Sequence, residues 1–158
     1  MMHEAHEIVH TSIGRLICEC WGVRDFNIWE LCKGCLEKKP VSVLSTFAGP
    51  IFTFIMIWVG VILIGQEKTD RQKTMGFSLI FANIPFARIL TASFGGGDEV
   101  WGLNILLKSH SLAWTIGLLS ILPITIIPLC KAYKLIANKR KIGWFLLFFM
   151  MPTLLTYY

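Results

Sequence analysis

Two histidines and one glutamate near the beginning of the sequence have the spacing of a metal-binding motif. His6-Glu7-Ile8-Val9-His10 reads HExxH, and residues four apart lie on one face of a helix. Both imidazoles could therefore bind one Zn²⁺, with Glu7 placed to reach a zinc-bound water. Zinc lowers the pKa of such a water, and Glu7 would accept its proton as general base while the oxygen attacks a carbonyl carbon. The alternative is an N-terminal helix whose histidines are simply solvated.

A catalytic zinc held in this way needs a third protein ligand. The sequence contains three aspartates, Asp25, Asp70 and Asp98. Asp70 stands among basic residues and Asp25 follows Arg24, which is typical of solvated surface charges. Asp98 follows three glycines, and glycine lets the backbone approach a metal closely. Asp98 is therefore a candidate for the third ligand. It could instead, or in addition, be the N-cap of a helix over residues 99–107.

Four of the five cysteines suggest a second metal site. Cys18 and Cys20 form one close pair, and Cys32 and Cys35 form another. Four thiolates in two pairs could hold a structural zinc ion. The alternatives are free thiols or a disulfide such as Cys32 with Cys35. Because the number of cysteines is odd, complete pairing within one chain is impossible.

The elements that must position these residues read as membrane helices. The chain has 158 residues, 54% hydrophobic and 16% charged, with a mean hydropathy of +0.61, whereas soluble domains are about 45–50% apolar and about 25% charged. This composition excludes a disordered chain or a heptad-repeat rod. Residues 5–21 form a predicted amphipathic helix that carries the HExxH motif. Four apolar segments, each long enough to approach or reach a membrane crossing, follow at residues 41–65, 75–94, 112–130 and 142–158.

We therefore expect an all-α integral membrane protein with a single domain over residues 1–158. It would have four or five transmembrane helices and a short β element after the first helix, around residues 26–31. The net charge of +5 falls between apolar segments rather than along one helical face, which favours membrane lipid as a partner over nucleic acid. The basic loops at residues 66–74 and 131–141 are predicted to be cytoplasmic.

The motifs together resemble the site-2 protease family of membrane-embedded zinc metalloproteases, as a small and divergent member. The resemblance covers residues 6 to about 104. It rests on the HExxH motif followed, in order, by Thr46-Phe47-Ala48-Gly49-Pro50-Ile51, Asn83-Ile84-Pro85 and Gly95-Gly96-Gly97-Asp98.

The resemblance implies a zinc ion held by His6, His10 and Asp98, with Glu7 as the general base. It implies hydrolysis of peptide bonds in or near the bilayer, in a membrane-protein or peptide substrate. Asn83 matches the family's Asn ahead of Pro and would bind substrate backbone or orient a ligand; otherwise it is a polar contact between helices. Two other functions are compatible with the same residues: a non-catalytic membrane relative with a binding or regulatory role, and a metal-handling membrane protein.

Overall fold

The computed structural model describes residues 2–25, 28–135 and 141–156. Over these residues the fold is helical apart from one pair of two-residue strands, as the composition and the apolar segments predict. Eight α-helices lie within the described ranges: α1 (Met2–Cys18), α2 (Cys35–Lys38), α3 (Leu44–Leu63), α4 (Asp70–Ala82), α5 (Pro85–Ser93), α6 (Asp98–Leu107), α7 (His110–Leu135) and α8 (Lys141–Thr156). A 3-10 helix, Pro40–Val43, leads into α3.

The predicted β element is reduced to one very short ladder. Strands β1 (Arg24–Asp25) and β2 (Ile28–Trp29) pair antiparallel, with Arg24 opposite Trp29. Two residues on each strand do not make a sheet that is stable by itself. The predicted strand residues 26 and 27 lie outside the described part of the chain.

The apolar segment at residues 75–94 is divided into two helices. Helix α4 ends at a C-cap on Asn83, and Ile84 has the left-handed backbone angle φ 51°. Pro85 then opens α5, since proline lacks the N–H that a first-turn residue would leave unbonded. The break therefore falls on the Asn-Ile-Pro motif.

The two predicted basic loops are partly helical, which corrects their boundaries. Helix α4 begins at Asp70 because Thr69 and Gln72 form a reciprocal capping box, so residues 70–74 belong to α4. Residues 131–135 continue α7, and residues 136–140 lie outside the described ranges. The cytoplasmic location of both segments stays a prediction.

The contacts divide the chain into two compact units, whereas the sequence suggests one domain. The first unit consists of Met1–Thr53 and Gly95–Gly117, and the second of Phe54–Phe94 and Leu118–Tyr158. In the second unit α3 and α4 approach closely at Gly60 and Gly76, where a Cβ on Gly76 would be 2.5 Å from the Gly60 carbonyl oxygen. The core of the second unit contains Val61, Ile64, Ile80, Phe81, Leu129 and Ala132.

Three helical stretches in the described ranges are long and apolar enough to cross a bilayer, namely Pro40–Leu63, Asp70–Ser93 and His110–Leu135. Ile142–Met151 is apolar but shorter. Helix α1, with 17 residues and an amphipathic pattern, is not among these stretches. The four or five crossings expected from the sequence therefore stay a prediction.

Candidate metal centre

Helix α1 buries all three functional residues of the HExxH motif. His6, Glu7 and His10 are 3%, 4% and 0% exposed, although charged and polar side chains are rarely so deep unless they are paired or bind a metal. Glu4 in the first turn and Arg15 in the last turn have the charges that a helix dipole favours. The motif therefore lies within α1, and its two histidines and its glutamate face the protein interior.

The two imidazoles meet the predicted third ligand. His6 Nε2 lies 2.9 Å from His10 Nε2 and 3.1 Å from Asp98 Oδ2, and His10 Nε2 lies 3.3 Å from the same oxygen. Asp98 is brought there as the first residue of α6. Its alternative role as N-cap is wrong, because Gly97 is the N-cap, with φ 93°. His6 and Asp98, which are 92 residues apart in the sequence, thus lie within hydrogen-bonding distance.

The second nitrogen of each imidazole is held by α3. His10 Nδ1 is 2.6 Å from the carbonyl oxygen of Ser45, and His6 Nδ1 is 3.0 Å from Thr53 Oγ1. Metal-binding histidines almost always use one ring nitrogen for the metal and the other for such a partner, which fixes the ring orientation. Here both rings are fixed so that their Nε2 atoms point at Asp98.

Close backbone approach makes this arrangement possible. A Cβ on Gly49 of α3 would be 2.5 Å from His10 Cδ2 and 2.6 Å from His6 Cε1. On α6, a Cβ on Gly102 would be 2.6 Å from Phe47 Cζ. Small residues at such positions let helices pack backbone to backbone. Helix α3 therefore contacts α1 through one glycine and α6 through the other.

The loop after α1 contributes an aromatic support. The indole of Trp29 stacks on the His10 imidazole with ring centroids 4.4 Å apart and an angle of 9° between the planes. On the other side of the motif, the His3 ring stacks on His6 with centroids 6.0 Å apart. His3 Nε2 lies 3.7 Å from Glu7 Oε1. The imidazoles are thus restrained by aromatic rings as well as by hydrogen bonds.

The hydrogen bonds of this cluster restrict which of its atoms can carry a proton. The Ser45 carbonyl can only accept, so His10 Nδ1 carries a proton and Nε2 of a neutral His10 is a bare acceptor. Burial acts to raise the pKa of Asp98, but the hydrogen bonds and charges that His10 and His6 supply when their Nε2 atoms carry protons lower it more, to below its ordinary value of 3.8. His6 Nε2, His10 Nε2 and Asp98 Oδ2 lie too close together to be left without a proton or another cation between them.

A divalent metal ion fits this need better than a proton. A proton serves one pair of the three atoms at a time, and two adjacent imidazolium ions repel each other. Ligand atoms at about 2.0–2.1 Å from a tetrahedral zinc stand about 3.3 Å apart, close to the separations of 2.9, 3.1 and 3.3 Å in this cluster. His6, His10 and Asp98 could hold such an ion.

The structure places the other predicted residues as follows. Asn83 belongs to the second unit, where it is 5% exposed and its side-chain amide donates to the Leu79 carbonyl oxygen at 2.6 Å. Its role with substrate or ligand stays a prediction. Glu7 is buried within α1, and its role as base also stays a prediction.

The predicted cysteine pairs come together, but with a different pairing from the suggested disulfide. Disulfides join Cys18 to Cys35 and Cys20 to Cys32, so the alternative of a Cys32–Cys35 bond is wrong. Cys130 on α7 is free and exposed. The crosslinks attach the loop that carries Trp29 to the end of α1.

Sequence reasoning missed three supporting residues, Ser45, Thr53 and Trp29. Ser45, Gly49 and Thr53 follow one another at four-residue spacing, so they form a small and polar stripe on one face of an otherwise apolar helix. Such a stripe is typical of a face that packs closely on another helix and bonds to it. That pattern could have identified Thr53. The carbonyl of Ser45 and the stacking of Trp29 have no signature in residue spacing.

Comparisons of this chain with protein-family models, with curated proteins and with solved structures find no match.

Proposed function

We propose that this protein is a membrane-embedded zinc metalloprotease that hydrolyses peptide bonds in or near the bilayer. The observation that carries the proposal is the convergence of His6 Nε2, His10 Nε2 and Asp98 Oδ2 within 2.9–3.3 Å of one another. Two histidines and one carboxylate leave a fourth position for water or substrate, as catalytic zinc sites do and structural ones do not.

Each residue has a defined task in this proposal. Ser45 and Thr53 hold the Nδ1 atoms, so that both Nε2 lone pairs are presented together. Glu7 takes the proton from the attacking water and returns it to the leaving amine. Zinc, when bound, supplies the positive charge that acidifies water and polarises the scissile carbonyl.

The side of the cluster that carries Asp98 offers an approach for substrate. The side chain of Asp98 is 36% exposed, whereas those of His6 and His10 are 4% and 0% exposed. The histidines are therefore closed off by α1 and α3, and access is from the beginning of α6. A reacting carbonyl would enter there.

Exposed apolar surface supports a membrane location. Four large side chains of α3, between 38% and 65% exposed, follow one another at helical spacing: Ile51, Ile55, Trp58 and Ile62. A stripe of this kind on a soluble monomer is unusual and marks contact with lipid or another apolar partner. Together with three helical stretches of spanning length in the described ranges, it favours an integral membrane protein with an apolar substrate segment.

The test combines metal content with hydrolysis in detergent. Zinc per chain is measured by mass spectrometry for wild type, Asp98→Asn and Asp70→Asn. Asp70 is a matched control because it is also the first residue of a helix, but exposed. We expect about one zinc ion at this site in wild type and in the control, and its loss in Asp98→Asn.

Hydrolysis is followed with quenched fluorescent peptides that contain an apolar helical segment. Glu7→Gln should keep zinc and lose hydrolysis by about 100-fold or more, while Glu37→Gln, at an exposed position of α2, should resemble wild type. Zinc retained without any Glu7-dependent hydrolysis would favour the non-catalytic relative. An equal zinc content in wild type and Asp98→Asn would overturn the proposed metal centre itself.

A further inference from the structure

A second cluster of metal-binding atoms lies where the loop after α1 returns to that helix. The Sγ atoms of Cys18, Cys32 and Cys35 all lie within 4.8 Å of one another, although Cys18 and Cys32 belong to different disulfides. Cys20 is bonded to Cys32, so a fourth sulfur adjoins this group of three. Two disulfides do not need a common sulfur cluster, whereas a tetrathiolate metal site does.

We propose that these four cysteines, when reduced, bind one structural zinc ion. In a tetrahedral site with Zn–S distances of about 2.3 Å, the sulfur atoms stand about 3.8 Å apart. The sulfurs of Cys18, Cys32 and Cys35 are already within 4.8 Å of one another, and Cys20, bonded to Cys32, would complete the site by rotation of its side chain once that bond is reduced. The four residues thus form a site with two interchangeable states, two disulfides or one zinc tetrathiolate.

The local backbone is shaped to bring the pairs together. Gly34, with φ 73°, makes the turn between Cys32 and Cys35, and Cys35 N–H donates to the Cys32 carbonyl at 3.1 Å. On the facing segment, a Cβ on Gly22 would be 2.9 Å from the carbonyl carbon of Glu30. The chain therefore doubles back closely enough to place Cys20 beside Cys32.

This segment needs a crosslink of some kind. Among its described side chains between residues 19 and 39, Cys35 alone is buried, while Trp21 and Val23 are each 67% exposed. A segment with so little apolar burial is usually held by disulfides or a structural metal. Because it carries the Trp29 indole that stacks on His10, the crosslink also maintains one wall of the candidate metal centre.

A dithiol can supply the electrons that convert the two disulfides into the four thiols of the zinc-binding state. Two molecules of dithiol reduce the two disulfides to four thiols and become two cyclic disulfides. Four thiols then bind one Zn²⁺ as thiolates and release four protons. This zinc site is independent of the proposed protease activity, which involves other residues.

The test counts zinc and thiols in the full-length protein in detergent, after reduction with a dithiol in the presence of zinc salt and removal of the excess. We expect about two zinc ions per chain in wild type, and about one in Cys18→Ser, in Cys35→Ser and in Asp98→Asn. Cys130→Ser, which changes the free exposed cysteine, should keep both. In the Asp98→Asn background, Co²⁺ in place of zinc should produce the near-ultraviolet absorption of cobalt–thiolate bonds.

Three results would overturn the inference. Reduced wild type with a single zinc that depends on Asp98 would show that the thiols do not bind metal. A second zinc that survives in both cysteine variants would place it elsewhere. Disulfides that persist in excess dithiol, shown by one reactive thiol per denatured chain, would show that the reduced state does not form. A reduced wild type that holds one zinc ion, dependent on the cysteines and not on Asp98, would support this site and contradict the proposed protease.

Discussion

Gly49 of α3 lies against the imidazole of His10 so closely that a Cβ there would be 2.5 Å from His10 Cδ2. Real Cβ atoms do not come so near to their neighbours. The absence of a side chain at this position brings the α3 backbone onto α1. Ser45 and Thr53, one helical turn before and after Gly49, thereby reach the Nδ1 atoms of the two imidazoles.

Gly49→Ala should therefore damage the metal centre. The added methyl group must displace the imidazoles or separate the two helices, and overpacking of this kind costs about 1–3 kcal/mol. Zinc retention after dialysis against a chelator, and the thermal unfolding midpoint, should both fall. Gly143→Ala is the control, since a Cβ there meets nothing within 4 Å and alanine favours a helix by up to about 1 kcal/mol. Equal behaviour of the two variants would contradict the close approach.

Thr53→Val should weaken zinc binding without unfolding the protein. Valine keeps the shape of threonine but loses the Oγ1 atom that lies 3.0 Å from His6 Nδ1. Loss of such an orienting partner typically lowers metal affinity about 10- to 100-fold. Competition with a zinc chelator gives the affinity, and Thr115→Val is the control, because its Oγ1 only donates to the Ser111 carbonyl on the exposed face of α7. An unchanged affinity in Thr53→Val would exclude a positioning role.

The sequence predicts the residues that carry a chemical signature. His6, Glu7 and His10 can be recognised because i, i+4 spacing puts both imidazoles on one helical face, and Asp98 because glycines precede it in an apolar context. The apolar segments predict the all-helical fold because membrane-length hydrophobic runs are rare in soluble domains.

The rest of the site depends on contacts between distant parts of the chain. The carbonyl of Ser45 is a backbone group, so no residue type reveals it. The stacking of Trp29 on His10 requires the crosslinked loop to fold back over α1. The pairing of Cys18 with Cys35, rather than Cys32 with Cys35, is likewise decided by that loop and not by spacing along the sequence.

Trp29→Ala should loosen His10 and reduce zinc affinity about 10-fold, since one face of the imidazole loses its aromatic support. Trp29→Phe keeps an aromatic ring and should recover most of the affinity. Trp21→Ala tests the general effect of removing an indole from the same loop, because Trp21 is 67% exposed and contacts the Arg15 guanidinium. Zinc titration with a competing chelator compares the three variants. If Trp21→Ala weakens zinc as much as Trp29→Ala, stacking on His10 is not the cause.

The ion pair that joins the end of α1 to the start of the 3-10 helix should make stability depend on pH. Lys39 Nζ donates to Glu19 Oε1 at 2.8 Å, and this hydrogen bond, with the lysine charge, lowers the pKa of Glu19 below its ordinary value of 4.5. A carboxyl whose pKa is lower in the folded state stabilises the fold above the unfolded pKa. That stabilisation disappears as pH falls through the folded pKa.

Glu19→Gln should accordingly lower the unfolding midpoint slightly at neutral pH, and the difference from wild type should shrink as the pH falls below about 4.5. The effect is small because the Glu19 side chain is 81% exposed, and added salt should reduce it further. The measurement is thermal unfolding of chelator-treated protein, so that protonation of the zinc ligands does not contribute. Glu37→Gln, which changes another exposed glutamate of the same region, corrects for the general loss of a negative charge. A difference that persists undiminished at low pH would show that the ionised Glu19 carboxylate contributes nothing to stability.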